Sequence, residues 1–482
     1  MPGTGRRITP ADTGCKKNRG QTQKRGEGES DARMISSIKM RAMNVLHFLF
    51  MAVLTIVCCL HAYVPAEKFS IAVSLLLIHL LLTAFLYRVY NAYRAGEYRI
   101  GELLYAQTLA NFLAMAVTYV LLCILFLRIL TLWPAVVTLL AQMLVSLLWC
   151  VCANHLYYSL HAPKRTLVLY RGEQDLDKLR EICSMEKRFQ IEEAVRNPQD
   201  IHEILPMLDG FEAVLVSGVE ATLRNGILKE CIDKNIDCYF VPHTGDVIVA
   251  GAKHVQSLSV PIMRAQRSRV KPEYAFAKRA FDIVCASIAL VIASPFLIAT
   301  AIAVKAEDGG PVFYRQVRLT RDGKRFKILK FRSMRVDAEK DGVARLASEH
   351  DDRITRVGHI IRAIRFDELP QLLNILCGDM SFVGPRPERP EIAAQYEQEM
   401  PAFSLRLQVK AGLTGTAQVY GRYNTEPKDK LKMDLMYINN MSPLEDLRLM
   451  FATARILFMR ESTSGVADGQ TTASVVEKEK SA

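Results

Sequence analysis

The chain has 482 residues, 50% apolar and 23% charged, and its 62 Lys+Arg against 50 Asp+Glu leave a net charge of +12. That apolar share, with positive mean hydropathy, excludes a disordered polymer, and the length excludes one small domain. The basic excess points to an anionic partner, whether nucleic acid, a membrane face or a phosphorylated substrate. The eleven cysteines are scattered, without a C-x-x-C followed by His or Cys, so neither a zinc nor a disulfide framework is visible.

Residues 1–41 carry ten Lys/Arg and four acids amid Gly, Ser and Thr, and read as an unstructured basic arm. Stretches free of Asp, Glu, Lys and Arg follow over 42–66, 69–87, 103–127, 129–163 and 283–304. Each supplies the roughly 20 residues with which a helix crosses about 30 Å of hydrocarbon. The first four predict a domain of four transmembrane helices over 42–160. The first is too long, and too far behind a polar arm, to be a secretory signal.

Lys and Arg crowd the arm and recur at Arg88, Arg94 and Arg99, whereas the other connections hold only Lys68 and Arg128. This asymmetry places the arm, the second loop and everything after the fourth span in the cytoplasm. The fifth apolar stretch has basic flanks on both sides. Ser294-Pro295 lies at its middle, where proline removes a backbone hydrogen bond and the serine hydroxyl can satisfy the freed carbonyl. A re-entrant helix over 278–305 follows from these features; a kinked ordinary crossing is the alternative.

Over 164–260 short β-rich runs (166–170, 189–195, 213–217 and 236–241) alternate with helical stretches, which predicts a parallel sheet flanked by helices, a Rossmann-like domain. The turn after the first run, Tyr170-Arg171-Gly172-Glu173, lacks the glycines that let a pyrophosphate approach a helix end. A structural or regulatory role is therefore favoured over cofactor binding.

A C-terminal catalytic domain is expected over 272–460, followed by a flexible tail over 461–482. Residues 312–334 read as a basic hairpin turning at Asp322-Gly323. Its density, nine Lys/Arg against one acid over 315–335, suits phosphate groups. Tyr314, Phe326 and Phe331 raise single-stranded nucleic acid, which the position just after a membrane helix argues against. Residues 336–352 read as a mobile loop whose Asp351 and Asp352 are weak metal candidates. Pro370 suits a first helical turn, so a helix is expected to begin just before it with Asp367 near the cap. Asp367 and Glu368 would then sit where helix-end amides favour anions. In Gly384-Pro385-Arg386-Pro387, two prolines stiffen the backbone around a guanidinium suited to bidentate phosphate contact. Apolar stripes over 431–439 and 444–458 suit either a bilayer surface or ordinary core packing.

These segments resemble the bacterial sugar transferases, monotopic polyprenyl-phosphate phosphosugar transferases. The resemblance covers about 274–458, through Lys278-Arg279 with Asp282, Ser294-Pro295, Lys330-Phe331-Arg332-Ser333-Met334, Asp367-Glu368-Leu369-Pro370-Gln371, Gly378-Asp379-Met380-Ser381, Gly384-Pro385-Arg386-Pro387 and GLTGTAQV from Gly412. The N-terminal spans and Rossmann-like middle are similar to the large members that start exopolysaccharide, capsule or O-antigen synthesis. The resemblance implies transfer of a hexose 1-phosphate from a UDP-sugar to undecaprenyl phosphate, with release of UMP. It makes Asp367 the nucleophile of a covalent phosphosugar intermediate, assisted by Glu368, with Mg²⁺ beside both. Lys330 and Arg386 would bind substrate phosphates, with Arg332 and Arg362 as weaker candidates. It further implies a bacterial inner-membrane enzyme with a cytoplasmic catalytic face, no nucleic-acid partner, a possible homodimer and downstream glycosyltransferases. The chain departs from the family at Ala411, commonly proline, and at Ala417, often aromatic.

Overall fold

A computed structural model describes residues 15–185, 187–255, 260–267, 270–336, 338, 353–421 and 425–457. Asp351, Asp352 and most of the 336–352 stretch lie outside these residues, as does the 461–482 tail. The chain divides into two compact units, Met1–Leu215 with Val219–Tyr239, and Val216–Gly218 with Phe240–Ala482.

In the first unit α1 (Cys15–Leu54) continues through a π-helical turn (Thr55–Leu60) into α2 (His61–Tyr63), and α3 (Phe69–Val89), α4 (Ile100–Phe126) and α5 (Trp133–Leu160) follow. Helix thus begins inside the arm that sequence alone reads as unstructured. A helix nucleated in the apolar stretch extends backwards without a second nucleation, and Lys, Arg, Gln and Glu are good helix formers. Ile35–Tyr63, α3, α4 and α5 are long and apolar enough to cross a membrane. Residues such as Leu77, Leu81, Phe85, Leu144 and Leu148 face outward. Inside, polar side chains pair across helices: His79 Nδ1 with Thr118 Oγ1 at 2.9 Å, Tyr87 to Asn111 Oδ1 at 2.9 Å, and Gln142 Nε2 to Thr55 Oγ1 at 3.1 Å. Such cross-links matter in lipid, where burial of apolar surface gives helices no reason to associate.

Apart from the last residues of β3 and β4, the same unit continues with β1 (Lys164–Tyr170), α6 (Glu173–Met185), β2 (Phe189–Arg196), α7 (Ile201–Leu208), β3 (Ala213–Ser217), α8 (Ala221–Asp233) and β4 (Asp237–Phe240). The strand order is β2-β1-β3-β4, with β1 and β2 parallel. Leu167, Val168 and Leu169 and every residue of β3 are buried, as in strands covered on both faces. The order reverses between β1 and β3, the flavodoxin-like variant of the doubly wound sheet. Where a pyrophosphate would dock, the Gly172 amide already donates to Asp175 Oδ2 at 3.3 Å, and Glu173 adds a second acid to the first turn of α6.

The second unit holds α9 (Thr244–Ala250), β5 (Lys253–Val255), β6 (Ile262–Arg264), α10 (Pro272–Asp308), β7 (Phe313–Leu319) and β8 (Arg325–Phe331). It continues with α11 (Arg356–Ala363), α12 (Gln371–Cys377), β9 (Ser381–Val383), α13 (Pro390–Glu399), β10 (Gly412–Thr414), α14 (Thr416–Val419), α15 (Pro427–Asn439) and α16 (Pro443–Leu457). Ile375, Met380, Leu431 and Leu449 lie at the centre of its core. The stripes on α15 and α16 turn Leu431, Leu435, Ile438 and Leu449 into this core, which decides between packing and bilayer contact. β7 and β8 form the antiparallel basic hairpin, closed by Asp322 (φ 59) and Gly323 (φ 71) in left-handed conformation.

α10 is the fifth helix long and apolar enough to cross a membrane. Ser294 Oγ donates to the Val291 carbonyl at 2.8 Å, the acceptor that Pro295 leaves without its helical partner. Both ends of α10 are attached to the same fold. Near its start, buried Asp282 accepts from Ser381 Oγ and the Phe382 amide, both at 3.1 Å. Near its end, Val304 packs with Phe331 and Ile361, Glu307 accepts from the Val357 amide, and Asp308 pairs with Arg332. Replacing Asp282 with Ala strands the Phe382 amide, so chemical denaturation in detergent is expected to register a loss of about 3 kcal/mol.

Candidate active site

Two side chains fix α12 before any chemistry is in place. Asn374 accepts from the Leu329 amide and donates to the Lys327 carbonyl, both at 2.9 Å, and so pairs with β8 as a neighbouring strand would. Arg279 of α10 donates to the carbonyls of Ile375 and Leu376 at 2.6 and 2.7 Å, acceptors in the last turn of the helix, the first of which also accepts from the Gly378 amide.

Ahead of α12 the chain turns through Arg365, left-handed at φ 54, into a single 3₁₀ turn, Phe366–Glu368. Asp367 therefore does not cap α12. Pro370 directly precedes Gln371, and the acid pair sits on its own turn. The packing explains this: Ile361 and Phe366 both join the cluster of Val304 and Phe331, so the chain must reverse tightly between α11 and α12.

Glu368 is the hub. Lys330 Nζ donates to its Oε1 at 2.7 Å and Arg386 Nη2 to the same oxygen at 3.3 Å. Burial alone would raise its pKa, but the charges of Lys330, Arg386 and Arg365 prevail and hold Glu368 well below the usual carboxylate range. Glu368 in turn raises the pKa of Arg386. Asp367 differs. Among the described residues no hydrogen bond or ion pair engages its carboxylate, and burial with the neighbouring Glu368 charge pushes its pKa up against the pull of Lys330, Arg362 and Arg386. One acid is thus neutralised in place, while the other is less engaged and more basic within the field of three cations. Chemically, such an arrangement can serve a nucleophile or metal ligand beside a cradle for phosphate oxygens.

The structure brings Asp367, Glu368, Lys330 and Arg386 together and leaves Arg362 within electrostatic reach of Asp367. Arg332 goes elsewhere, buried in its pair with Asp308. The basic ribbon does not act as one patch, because neighbouring residues of a strand face opposite ways. Only Lys330 of it meets the acid pair, while Arg318 binds the Pro387 carbonyl and Arg321 pairs with Asp322. Ser294 and Pro295 lie on α10, and next to them Phe296 meets Phe366, the neighbour of Asp367, with ring centroids 6.0 Å apart. Asn374 carries no signal in the sequence as a site-shaping residue, and the bonds of Arg279 to two carbonyls of α12 are not legible there, since these partners are backbone groups far along the chain. At Ala411 the amide donates to Thr320 Oγ1 at 3.1 Å, a bond proline cannot make.

Comparison with known proteins agrees with the region in which this site lies. The sequence profile described as "Bacterial sugar transferase" matches residues 273–460. A UDP-N-acetylgalactosamine-undecaprenyl-phosphate N-acetylgalactosaminephosphotransferase of Aeromonas hydrophila is 43% identical over 189 residues, 39% of this chain and 44% of that protein. A UDP-glucose:undecaprenyl-phosphate glucose-1-phosphate transferase of Escherichia coli (strain K12) is 44% identical over 36% of this chain and 39% of its own length. The chain thus spans less than half of each of these two relatives. The exopolysaccharide production protein PSS of Rhizobium leguminosarum bv. phaseoli is 40% identical, with 92% of its length matched to 36% of this chain. Near-complete coverage of that relative at this identity, together with a profile whose range includes the acid pair and its cations, shows that the chain belongs to the bacterial sugar transferase family.

Proposed function

We propose that the protein transfers a hexose 1-phosphate from a UDP-sugar to undecaprenyl phosphate, and so starts the repeat unit of an exopolysaccharide, capsule or O-antigen. The observation that carries this reading is the asymmetry of the acid pair: Glu368 is held by Lys330 and Arg386, whereas Asp367 is left to react. Two phosphates repel each other, and a carboxylate between them divides one unfavourable encounter into two displacements that use the same cations.

In the first displacement an oxygen of Asp367 bonds to the sugar-bearing phosphorus, the bond from that phosphorus to the bridging oxygen breaks, and UMP leaves with the electron pair. In the second, an oxygen of the lipid phosphate bonds to the same phosphorus and the Asp367 carboxylate departs. The product is a sugar diphospholipid. Arg386 and Lys330 hold the phosphate oxygens, and Glu368 keeps both cations in place between turnovers. Arg362 of α11 lies within electrostatic reach of Asp367, and its charge favours the ionised carboxylate.

The donor set suits Mg²⁺ shared with substrate. Among the described residues no three His, Cys, Asp or Glu side chains cluster, so Asp367 and Glu368 would hold the ion only with phosphate oxygens and water completing its shell. When bound it supplies charge neutralisation at the transferring phosphoryl group.

The membrane side of the reading rests on α10. Its two ends are fastened to one fold while Val284, Ile288, Val291, Ile292, Ile298 and Ile302 between them are exposed, which supports a helix that enters and leaves one leaflet. The same reading puts the catalytic face on the cytoplasmic side of the inner membrane, passes the product to downstream glycosyltransferases and includes a homodimer formed through the N-terminal parts. The test is exchange: without lipid acceptor, purified protein with Mg²⁺ is expected to move label from UMP into UDP-sugar, and EDTA to stop it. No exchange under conditions that support full transfer to lipid would rule out the covalent route.

A further inference from the structure

The segment bearing Arg386 is tied at four consecutive carbonyls, each to a different donor. The Pro385 carbonyl accepts from the Gly412 amide at 2.9 Å, and the Glu388 carbonyl from the Leu319 amide at 3.0 Å. The two between them accept from side chains: Arg386 O from Arg406 Nη2 at 3.0 Å, and Pro387 O from Arg318 Nη1 at 3.1 Å. Arg406 is buried, its side chain 4% exposed, and pairs with buried Asp434 at 2.7 Å and with Glu388 at 3.5 Å. Arg318 is held from its other side by Gln316 Oε1 at 2.7 Å. Arg386 itself is 45% exposed and, among the described residues, is steadied by one bond of 3.3 Å to Glu368. Its direction therefore depends on the peptide beneath it.

We propose that Arg318 and Arg406 are positioning residues that aim the Arg386 guanidinium at the donor's phosphates by fixing the carbonyls of Arg386 and Pro387. The placement is costly, because each brings a cation into the fold, offset in part by Glu388 (4.0 Å from Arg318, 3.5 Å from Arg406), to bind a carbonyl, a task that a backbone amide performs at the two flanking residues. A guanidinium serves here because it donates several bonds in fixed directions and so locks the peptide and its acid partner together. Two prolines cut the backbone freedom of the segment, and the arginines remove what remains. A shift of about 1 Å at a phosphate-binding group costs on the order of 100-fold in rate, which sets the effect to look for.

This inference rests on the reading of Arg386 as a phosphate cation, and a double-mutant cycle in the full-length protein separates the two. Donor kcat/KM is measured with labelled UDP-sugar for Arg318→Met, Arg386→Lys and the pair, together with melting temperature and the KM for lipid acceptor. Arg318→Met is expected to lower donor kcat/KM on the order of 100-fold, with melting temperature and acceptor KM little changed. In the Arg386→Lys background, where the fork is already lost, the same change is expected to cost about twofold or less. Arg318→Lys, which keeps a donor to Pro387 O, is expected to recover most of the activity. An equal loss in both backgrounds, or no loss in the native one, overturns the positioning role. Full activity of Arg386→Lys and Arg386→Ala instead overturns the phosphate-cation reading. Arg406→Met leaves Asp434 unpaired, so it is paired with Asp434→Leu; if that protein does not fold, the Arg318 cycle decides alone.

Discussion

Asp367→Asn is expected to abolish transfer, with turnover down by at least about 10⁴-fold, while the protein folds and binds donor. The substitution keeps the shape of the side chain and removes the oxygen proposed to attack the donor, and removal of a covalent nucleophile belongs among the largest single losses in enzyme kinetics. Stability is expected to hold because no hydrogen bond or ion pair among the described residues depends on this carboxylate. Glu368→Gln makes a useful contrast. It strips two cations of their partner, so its loss of activity is expected to come with a changed melting temperature. Turnover by Asp367→Asn above a hundredth of the native rate, in protein free of native contamination, would mean that water or lipid attacks the donor directly.

Lys330→Met is the second large effect. The ammonium lies 2.7 Å from Glu368, and its charge pulls the pKa of both acids down against burial. In the proposed reaction its loss removes a fixed positive charge from the place where negative charge would accumulate, and loss of one such donor costs about 10²–10³-fold. The drop is expected in kcat/KM for the donor. Arg332→Met, by contrast, breaks a structural pair with Asp308 and is expected to act on stability. Stopped-time assays over a donor range, beside thermal melts, measure both. A Lys330→Met protein within a factor of three of native would remove this lysine from the chemistry.

Much of this could be read from the residues alone where local rules decide. The β1, β2, β3 and β4 runs fall within two residues of the alternation read from sequence, and Asp322-Gly323 turns the hairpin because both positions need positive φ. Pro295 with Ser294 announced its own repair. What escaped was set by tertiary packing. The 3₁₀ turn around Asp367 replaces the expected cap because Ile361 and Phe366 share one apolar cluster, and no local pattern records that. Arg332 sits two residues from Lys330 on a basic run, yet it is claimed by Asp308, 24 positions earlier in sequence. Nothing near Arg406 in the sequence announces its bond to the Arg386 carbonyl, which closes only once the fold is formed.

The two-ended attachment of α10 has a kinetic corollary. On the proposed one-leaflet insertion, a catalytic floor tethered at both margins would hold a constant height above the acyl chains, and an oily co-substrate would arrive by sliding sideways within one monolayer. Encounter is then a search in two dimensions. Initial velocity should track the mole fraction of polyprenyl phosphate among surrounding phospholipids, and diluting vesicles in buffer at constant composition should leave it unchanged.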